Sequence, residues 1–151
     1  MDERPYPEGI DSCWLASDRD GQLGVFVTRG RGPIPAQALL ETYPLDSIEE
    51  QLLELPKASD IDLQVRRPRP DRLVALAERG FFVYDWSDVH RTEAYIDEYE
   101  VVALPYRPLM IDVLPAELSA VARSIRFATV AFANTWRLDV RAHTVCRESP
   151  A

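Results

Sequence analysis

Cysteine and histidine, which supply thiol nucleophiles, imidazole bases and zinc ligands, are scarce in this sequence of 151 residues, which has two of each. Cys13 and Cys146 stand near opposite ends of the chain, and neither belongs to a Cys-x-x-Cys pair. The Gly-x-Ser-x-Gly and His-Glu-x-x-His motifs are missing as well. We therefore predict no catalytic residue, no metal site and no cofactor. Both cysteines are predicted to be buried free thiols, with a disulfide between them as the alternative.

Long apolar runs and net positive charge are also absent. The longest apolar run has about five residues, whereas a bilayer-spanning helix needs roughly 20. Seventeen basic residues against twenty-five acidic ones give a formal charge of −8. DNA and anionic membranes attract a basic surface, so the charge predicts that neither is the main partner. Because the N-terminal residues 1–5 are polar and lack the features of a secretion signal, we expect a cytoplasmic protein.

The composition, with 46% apolar and 28% charged residues, is typical of a globular chain. The length predicts one domain over residues 1–151, with residues 1–10 as a loose N-terminal arm. Apolar periodicity and turn residues predict helices over 36–42, 46–55, 72–79 and 115–125. They predict strands over 13–18, 23–28, 60–65, 81–86, 94–104, 109–113, 127–132 and 138–145. The predicted fold class is α+β: a mostly antiparallel sheet built from hairpins, with two to four packed helices.

Charge is segregated along the chain. Residues 41–62 contain seven acids and one lysine, and residues 85–100 contain six acids and one arginine. Aromatic side chains can anchor a partner while carboxylates steer it, so these stretches predict a surface for a basic protein. The predicted contact residues are Trp86, Asp88, Tyr95, Asp97, Glu98 and Tyr99, with Glu49, Glu50 and Glu54 as a second acidic patch.

Three other interpretations of these residues stay open. In the first, the acidic stretches are ordinary solvated surface and the aromatic residues are core. The alternation of Phe82, Tyr84 and Trp86 would place these rings in the core if both sheet faces are covered. An exposed aromatic strand edge would instead suit an assembly subunit. The third is a small metal- or ligand-binding, hydrolase-like domain that uses the residues Asp85, Asp88 and His90.

The glycine-rich loop at 29–35 is a weak candidate for binding phosphate. Such a site needs several backbone N–H groups aimed at one point, and Pro33 and Pro35 remove two of them. We therefore predict that Gly30 and Gly32 turn the chain. Asp18, Asp20 and Gly21 are likewise predicted to form a hairpin turn rather than a calcium loop, because the other calcium ligands are missing.

Two patches, residues 13–35 (from CWLASDRDG through GPIP) and 84–88 (YDWSD), carry a resemblance to known proteins. The chain resembles small acidic proteins of high-GC bacteria, mostly of unassigned activity, some of which are similar to immunity proteins encoded beside polymorphic toxins. The resemblance implies a single α+β domain that binds and blocks a cognate toxin, for example a nuclease or a nucleotide-modifying enzyme. It assigns no partner-binding residue, since immunity families share little beyond size, acidity and stand-alone binding.

Overall fold

The computed structural model describes residues 2–64, 70–86 and 98–149. The strands within these ranges are β1 (Cys13–Asp18), β2 (Leu23–Val27), β3 (Ile34–Pro35), β4 (Ile61–Leu63), β5 (Phe82–Trp86), β6 (Tyr99–Pro105), β7 (Arg126–Phe127), β8 (Arg137–Leu138) and β9 (Cys146–Arg147). The α-helices are α1 (Ile48–Leu53), α2 (Asp71–Glu78) and α3 (Ala116–Ser124). Short 3-10 helices span Ala36–Leu39, Ile111–Val113, Phe132–Asn134 and Val140–Ala142. No helix in the described ranges is long and apolar enough to cross a membrane.

The main sheet is mixed. Its strand order is β4-β6-β5-β2-β1-β7, with β8 also paired to β6, while β3 and β9 form a separate ribbon. The β1–β2 pair is antiparallel, as predicted, and the β5–β6 pair is antiparallel as well, but β2–β5 and β1–β7 are parallel. The α+β class is confirmed, and the expectation of a mostly antiparallel sheet is corrected. The physical reason lies in the connection between β2 and β5, which contains α1 and α2 and returns the chain to the end where β2 began.

Several short elements differ from their predictions because their partners are distant in sequence. Residues 109–113 contain a 3-10 helix instead of a strand, and the predicted helix at 36–42 is a single 3-10 turn. The strands predicted at 127–132 and 138–145 do not pair with each other: β7 pairs with β1, β8 with β6, and β9 with β3. Strands of two residues carry too little local pattern to specify a partner.

The β1–β2 turn is built around a buried carboxylate. One oxygen of Asp18 accepts the backbone N–H groups of Asp20 and Gln22, at 2.9 and 2.8 Å. The other accepts the N–H of Phe132 at 2.8 Å and so ties the C-terminal part of the chain to the turn. Gly21 has a φ of +81°, which glycine adopts without strain. These contacts confirm the predicted hairpin turn.

Both faces of the sheet are buried. On one face the rings of Trp14, Phe26 and Tyr84 stack across β1, β2 and β5, with centroids 4.1 and 4.8 Å apart. The other face presents residues such as Leu15 and Val83 to the buried side chains of α1, α2 and α3. Side chains alternate along each strand, so one strand serves both cores. The aromatic strand therefore belongs to the interior.

The N-terminal arm is anchored rather than loose over its described residues. The N–H of Arg4 donates to the carbonyl of Leu39 at 2.7 Å, and the hydroxyl of Tyr6 donates to the carbonyl of Gly32 at 2.6 Å. Tyr6 also packs against the aromatic core. The partners are the 3-10 helix Ala36–Leu39 and the glycine-rich loop. Because both lie more than twenty residues further along the chain, the sequence of residues 1–10 alone does not predict these contacts.

Candidate functional site

Two of the predicted contact aromatics lie in the core. Trp86 is 6% exposed and Tyr99 is fully buried, with their rings 5.2 Å apart. The Tyr99 hydroxyl donates to the carbonyl of Pro33 at 2.9 Å and accepts the indole N–H of Trp14 at 3.3 Å. Burial raises the pKa of Tyr99 well above its usual value. Neither ring is available to a partner at the surface, which removes both residues from the predicted face.

Of the other four residues predicted for the face in the stretch 85–100, the structure describes only Glu98. Asp88, Tyr95 and Asp97 lie outside the described residues, as does His90 of the alternative metal site. Glu98 is half-buried and directly precedes β6. Within the described ranges, the stretch 85–100 thus retains little of the aromatic and acidic surface that was predicted for it.

Asp85 has a structural partner. Its side chain is fully buried and accepts two hydrogen bonds from Arg29, from Nε at 2.7 Å and from Nη2 at 3.2 Å. The hydrogen bond to Asp85 raises the pKa of Arg29 above its usual range. Arg29 has a φ of +54° and donates its backbone N–H to Asp11 at 2.9 Å. The pair thus fixes the loop after β2. In the described residues, no three or more His, Cys, Asp or Glu side chains are grouped to hold a metal ion.

The glycine-rich loop uses its N–H groups internally. Gly30 donates to the Thr28 hydroxyl at 3.2 Å, and Arg31 and Gly32 donate to the Thr28 carbonyl at 3.1 and 2.8 Å. A Cβ atom at Gly32 would lie 2.6 Å from the Tyr99 hydroxyl oxygen, so this position needs glycine for close packing. The loop turns the chain, as predicted, and presents no cradle of free amides to a phosphate.

Glu49, a residue of the predicted acidic patch, belongs to an ion-pair network. Arg72 of α2 binds Glu49 through Nε at 2.7 Å and Asp11 through Nη1 at 2.6 Å. The network joins α1, α2 and the segment before β1. Burial and then the negative charge of Glu49 raise the pKa of the neighbouring Cys13. Glu49 therefore has a role in the fold itself.

Glu50 and Glu54, the other two members of the patch, remain accessible on α1 and at its C-terminal end. Neither forms an ion pair or a side-chain hydrogen bond among the described residues. Glu54 lines a groove of about 540 Å³ between α1 and α3, together with Gln51, Leu55, Pro115, Ala116, Glu117 and Leu118. Glu117 is likewise exposed and without an ion pair in the described part of the chain. The structure thus adds one carboxylate and an apolar floor to the predicted patch.

Trp136 is an exposed aromatic residue that is not among the predicted contact residues. Its side chain is 56% exposed and lines a cleft of about 260 Å³ with Gln64, Glu100, Val101 and Arg137. The N–H of Val101 donates to the carbonyl of Trp136 at 2.8 Å. Local sequence offers no signal for its exposure, because the β6 strand that positions it is more than thirty residues away.

Both cysteines are free thiols, as predicted. Cys13 is buried on β1, and Cys146 is half-buried on β9. Burial raises the pKa of Cys146 to about 12. Both groups are therefore protonated near neutral pH, which is typical of structural rather than reactive cysteines.

Comparisons of the chain with models of known protein families, with curated proteins and with solved structures find no match. The fold and the site together define an α+β domain whose accessible acidic groove lies on the helical side of a sheet buried on both faces.

Proposed function

We propose that the protein is a binding module of the immunity type, which neutralises a cognate bacterial toxin by covering its basic active-site cleft. The observation that carries the proposal is the pair of accessible carboxylates, Glu50 and Glu54, without an internal partner in the described structure of a chain of net charge −8. A partner of opposite charge would satisfy them. The anchoring role that the sequence suggested for Trp86 and Tyr99 is not part of the proposal.

Other carboxylates of this protein act within the fold. Asp18 holds the β1–β2 turn, Asp85 holds Arg29, and Glu49 holds Arg72. Glu50 and Glu54 differ because, among the described residues, neither carboxylate has an ion pair or a side-chain hydrogen bond, although Glu50 lies in the first turn of α1, where a negative charge is favourable. A surface whose summed charge is opposite to that of its partner raises the rate of encounter by roughly tenfold to a thousandfold at low salt, and these carboxylates contribute to such a surface.

The mechanism of inhibition would be steric and electrostatic. The active-site cleft of a nuclease or a nucleotide-modifying enzyme carries positive charge because it binds phosphates. Carboxylates on α1 would occupy the positions of those phosphates, and the body of the domain would block entry of the substrate. No chemical step by this protein is needed, since occupation of the cleft suffices.

A genetic rescue experiment tests the proposal. Genes adjacent to the one that encodes this chain are expressed singly in a bacterial host, alone and with the wild-type protein. We expect one neighbour to arrest growth and the wild-type protein to relieve the arrest, whereas the Glu50→Lys, Glu54→Lys double variant relieves it poorly. The matched control is Glu8→Lys, Glu41→Lys, which makes the same charge change at exposed residues outside α1. A wild-type protein that relieves no neighbour's toxicity would contradict the proposal.

A further inference from the structure

We infer that the groove between α1 and α3 is the docking site for an aliphatic side chain of the partner, on a segment with a basic residue on each side. This inference rests on the proposed function and specifies the chemistry of the partner. The groove places an open apolar floor beside two accessible carboxylates that have no described ion pair.

The groove combines two kinds of surface. Leu55, Pro115 and Leu118 supply apolar contact area, and Glu54 and Glu117 line the same groove from the α1 and α3 sides. Its volume of about 540 Å³ accommodates more than one side chain. Arginine and lysine bury their aliphatic stems along apolar surface and keep the charged head near water or a carboxylate. Such residues would flank the aliphatic side chain and place their heads beside Glu54 and Glu117.

Charge complementarity selects this occupant. A neutral segment in the groove would remove water from Glu54 and Glu117 without giving either carboxylate a partner, which costs free energy. An acidic segment would add like-charge repulsion. A segment with two cations satisfies both carboxylates, so the groove favours a basic partner over the alternatives.

Helix electrostatics give a second argument for a role of Glu54 in binding. The C-terminal end of a helix carries partial negative charge, so a carboxylate there is unfavourable and a cation is favourable. Glu54 caps the C-terminus of α1, where the Arg79 guanidinium offsets part of this cost by donating to the carbonyls of Leu53 and Leu55, and the Glu54 carboxylate itself has no ion pair among the described residues. Glu117 lies in the first turn of α3, where a negative charge is favourable, so its placement has a structural explanation as well. Glu54 is therefore the more informative of the two residues.

The test uses short peptides and isotope-labelled protein. The probe is the blocked peptide Gly-Arg-Leu-Arg-Gly, with Gly-Gln-Leu-Gln-Gly and Gly-Arg-Gly-Arg-Gly as comparison peptides at the same millimolar concentrations. Binding is followed by the amide chemical shifts of the folded protein. We expect shifts concentrated at the ends of α1 and α3 that line the groove, and weaker binding when either the arginines or the leucine is replaced.

Two variants separate charge from shape. Glu54→Gln removes one charge at constant volume, and Ala116→Phe fills the groove from an exposed position without changing charge. We expect each to weaken binding of the Arg-Leu-Arg peptide by about fivefold to tenfold, the size of one lost charged or apolar contact. The controls are Glu8→Gln and Ala133→Phe, exposed residues that do not line the groove, with an expected change under about twofold. Circular dichroism melting verifies that each variant is folded.

The outcomes separate this inference from the proposed function. Equal binding of the peptide to wild type, Glu54→Gln and Ala116→Phe, or shifts confined to other surfaces, overturns the groove assignment even where toxin rescue succeeds. Full rescue by Ala116→Phe would do the same. Groove-specific peptide binding together with failed rescue leaves the docking chemistry standing and rejects the immunity role.

Discussion

Neighbouring carboxylates on α1 have opposite surroundings. Glu49 accepts a hydrogen bond from the guanidinium of Arg72 at 2.7 Å, whereas Glu50 is exposed and unpaired among the described residues. Successive residues of an α-helix are about 100° apart around the helix axis, so one glutamate faces α2 and the next faces solvent. The acidic pattern in the sequence identifies both but does not distinguish them.

We expect Glu49→Ala to lower the free energy of unfolding by about 1 to 2 kcal/mol, because it leaves Arg72 partly buried with Asp11 alone. Glu50→Ala is the matched change and should alter stability by less than about 0.5 kcal/mol. Urea denaturation measures both. Equal stability of the two variants would show that the Arg72 network is not a stabilising feature.

Removal of the buried Tyr99 hydroxyl should also be costly. In Tyr99→Phe the carbonyl of Pro33 and the indole N–H of Trp14 both lose a partner in the core. We expect a loss of about 1 to 3 kcal/mol in the free energy of unfolding. Tyr106→Phe, at an exposed tyrosine, is the control and should stay within about 0.5 kcal/mol of wild type. A Tyr99→Phe variant as stable as Tyr106→Phe would be inconsistent with this hydrogen-bonding network.

Cys146 should react slowly in the folded protein. Its pKa is raised by burial from 9.0 to about 12, so at pH 8 the folded state holds less thiolate than the unfolded state. A raised folded-state pKa stabilises the fold fully below pH 9, and this contribution is lost as pH rises from about 9 through about 12. We expect iodoacetamide at pH 8 to alkylate native Cys146 at least about tenfold more slowly than the same residue in guanidinium chloride, as followed by mass spectrometry. Similar rates in both states would show that the thiol is not shielded.

At the scale of elements, Arg79 connects the ends of two helices. Its guanidinium donates to the carbonyls of Leu53 and Leu55 at the end of α1, both at 3.1 Å, and to that of Ala75 in α2 at 2.9 Å. The last carbonyls of a helix lack intrahelical donors, and a cation there is also favoured by the helix dipole. One side chain therefore completes α1 and fastens it to α2.

We expect Arg79→Met, which keeps the aliphatic stem, to lower the free energy of unfolding by about 1 to 3 kcal/mol because three carbonyls lose their donor. Lys57→Met removes the nearby exposed ion pair with Glu78, at 3.6 Å, and should change stability by less than about 0.5 kcal/mol. Thermal and urea unfolding of both proteins provide the measurement. If the two changes have equal effects, the guanidinium does not cap the helices.

Elements with a strong local pattern were predictable, and pairings over long distances were not. The Asp-Gly turn identifies the β1–β2 hairpin, and apolar periodicity identifies α1, α2 and α3 within a few residues. The parallel pairing of β2 with β5 depends on how the helices between them pack, which no local pattern contains. The mixed sheet is the consequence of that crossover.

The sequence likewise predicts only part of the candidate site. Glu50 and Glu54 follow from the acidic face of a predicted helix, and the structure keeps them accessible. Trp86 and Tyr99 were misplaced because alternation shows which residues share a face but not whether that face is covered. Glu117 comes close to the patch only when α3 packs beside α1, so its part in the groove required the fold.

At the scale of the whole molecule, buried phenols make the fold sensitive to alkali. Burial raises the pKa of Tyr6, Tyr43, Tyr84 and Tyr99, which are four of the six tyrosines. Unfolded tyrosine ionises near pH 10, so above that pH the unfolded state releases protons that the folded state retains. Stability from these groups is complete below about pH 10 and declines as pH rises further.

We expect the absorbance of these tyrosinates at 295 nm to increase in one cooperative step above about pH 10, together with loss of the far-ultraviolet circular dichroism. The same titration in guanidinium chloride is the control and should show simple ionisation near pH 10. Gradual ionisation of all six tyrosines with an intact dichroism spectrum would contradict the shielding of these four phenols from solvent.

The groove carboxylates lie outside the two cores, whereas the apolar floor of the groove is shared with one of them: Leu118 belongs to the helix-facing core and Leu55 packs against it. The aromatic stack of Trp14, Phe26 and Tyr84 and the helix-facing core share no residue with the groove carboxylates Glu54 and Glu117. Substitutions at the groove rim can therefore accumulate with little effect on folding, while core positions stay constrained by packing. If the groove binds a partner as proposed, such a scaffold allows the charges at its rim to diverge while the architecture is inherited intact.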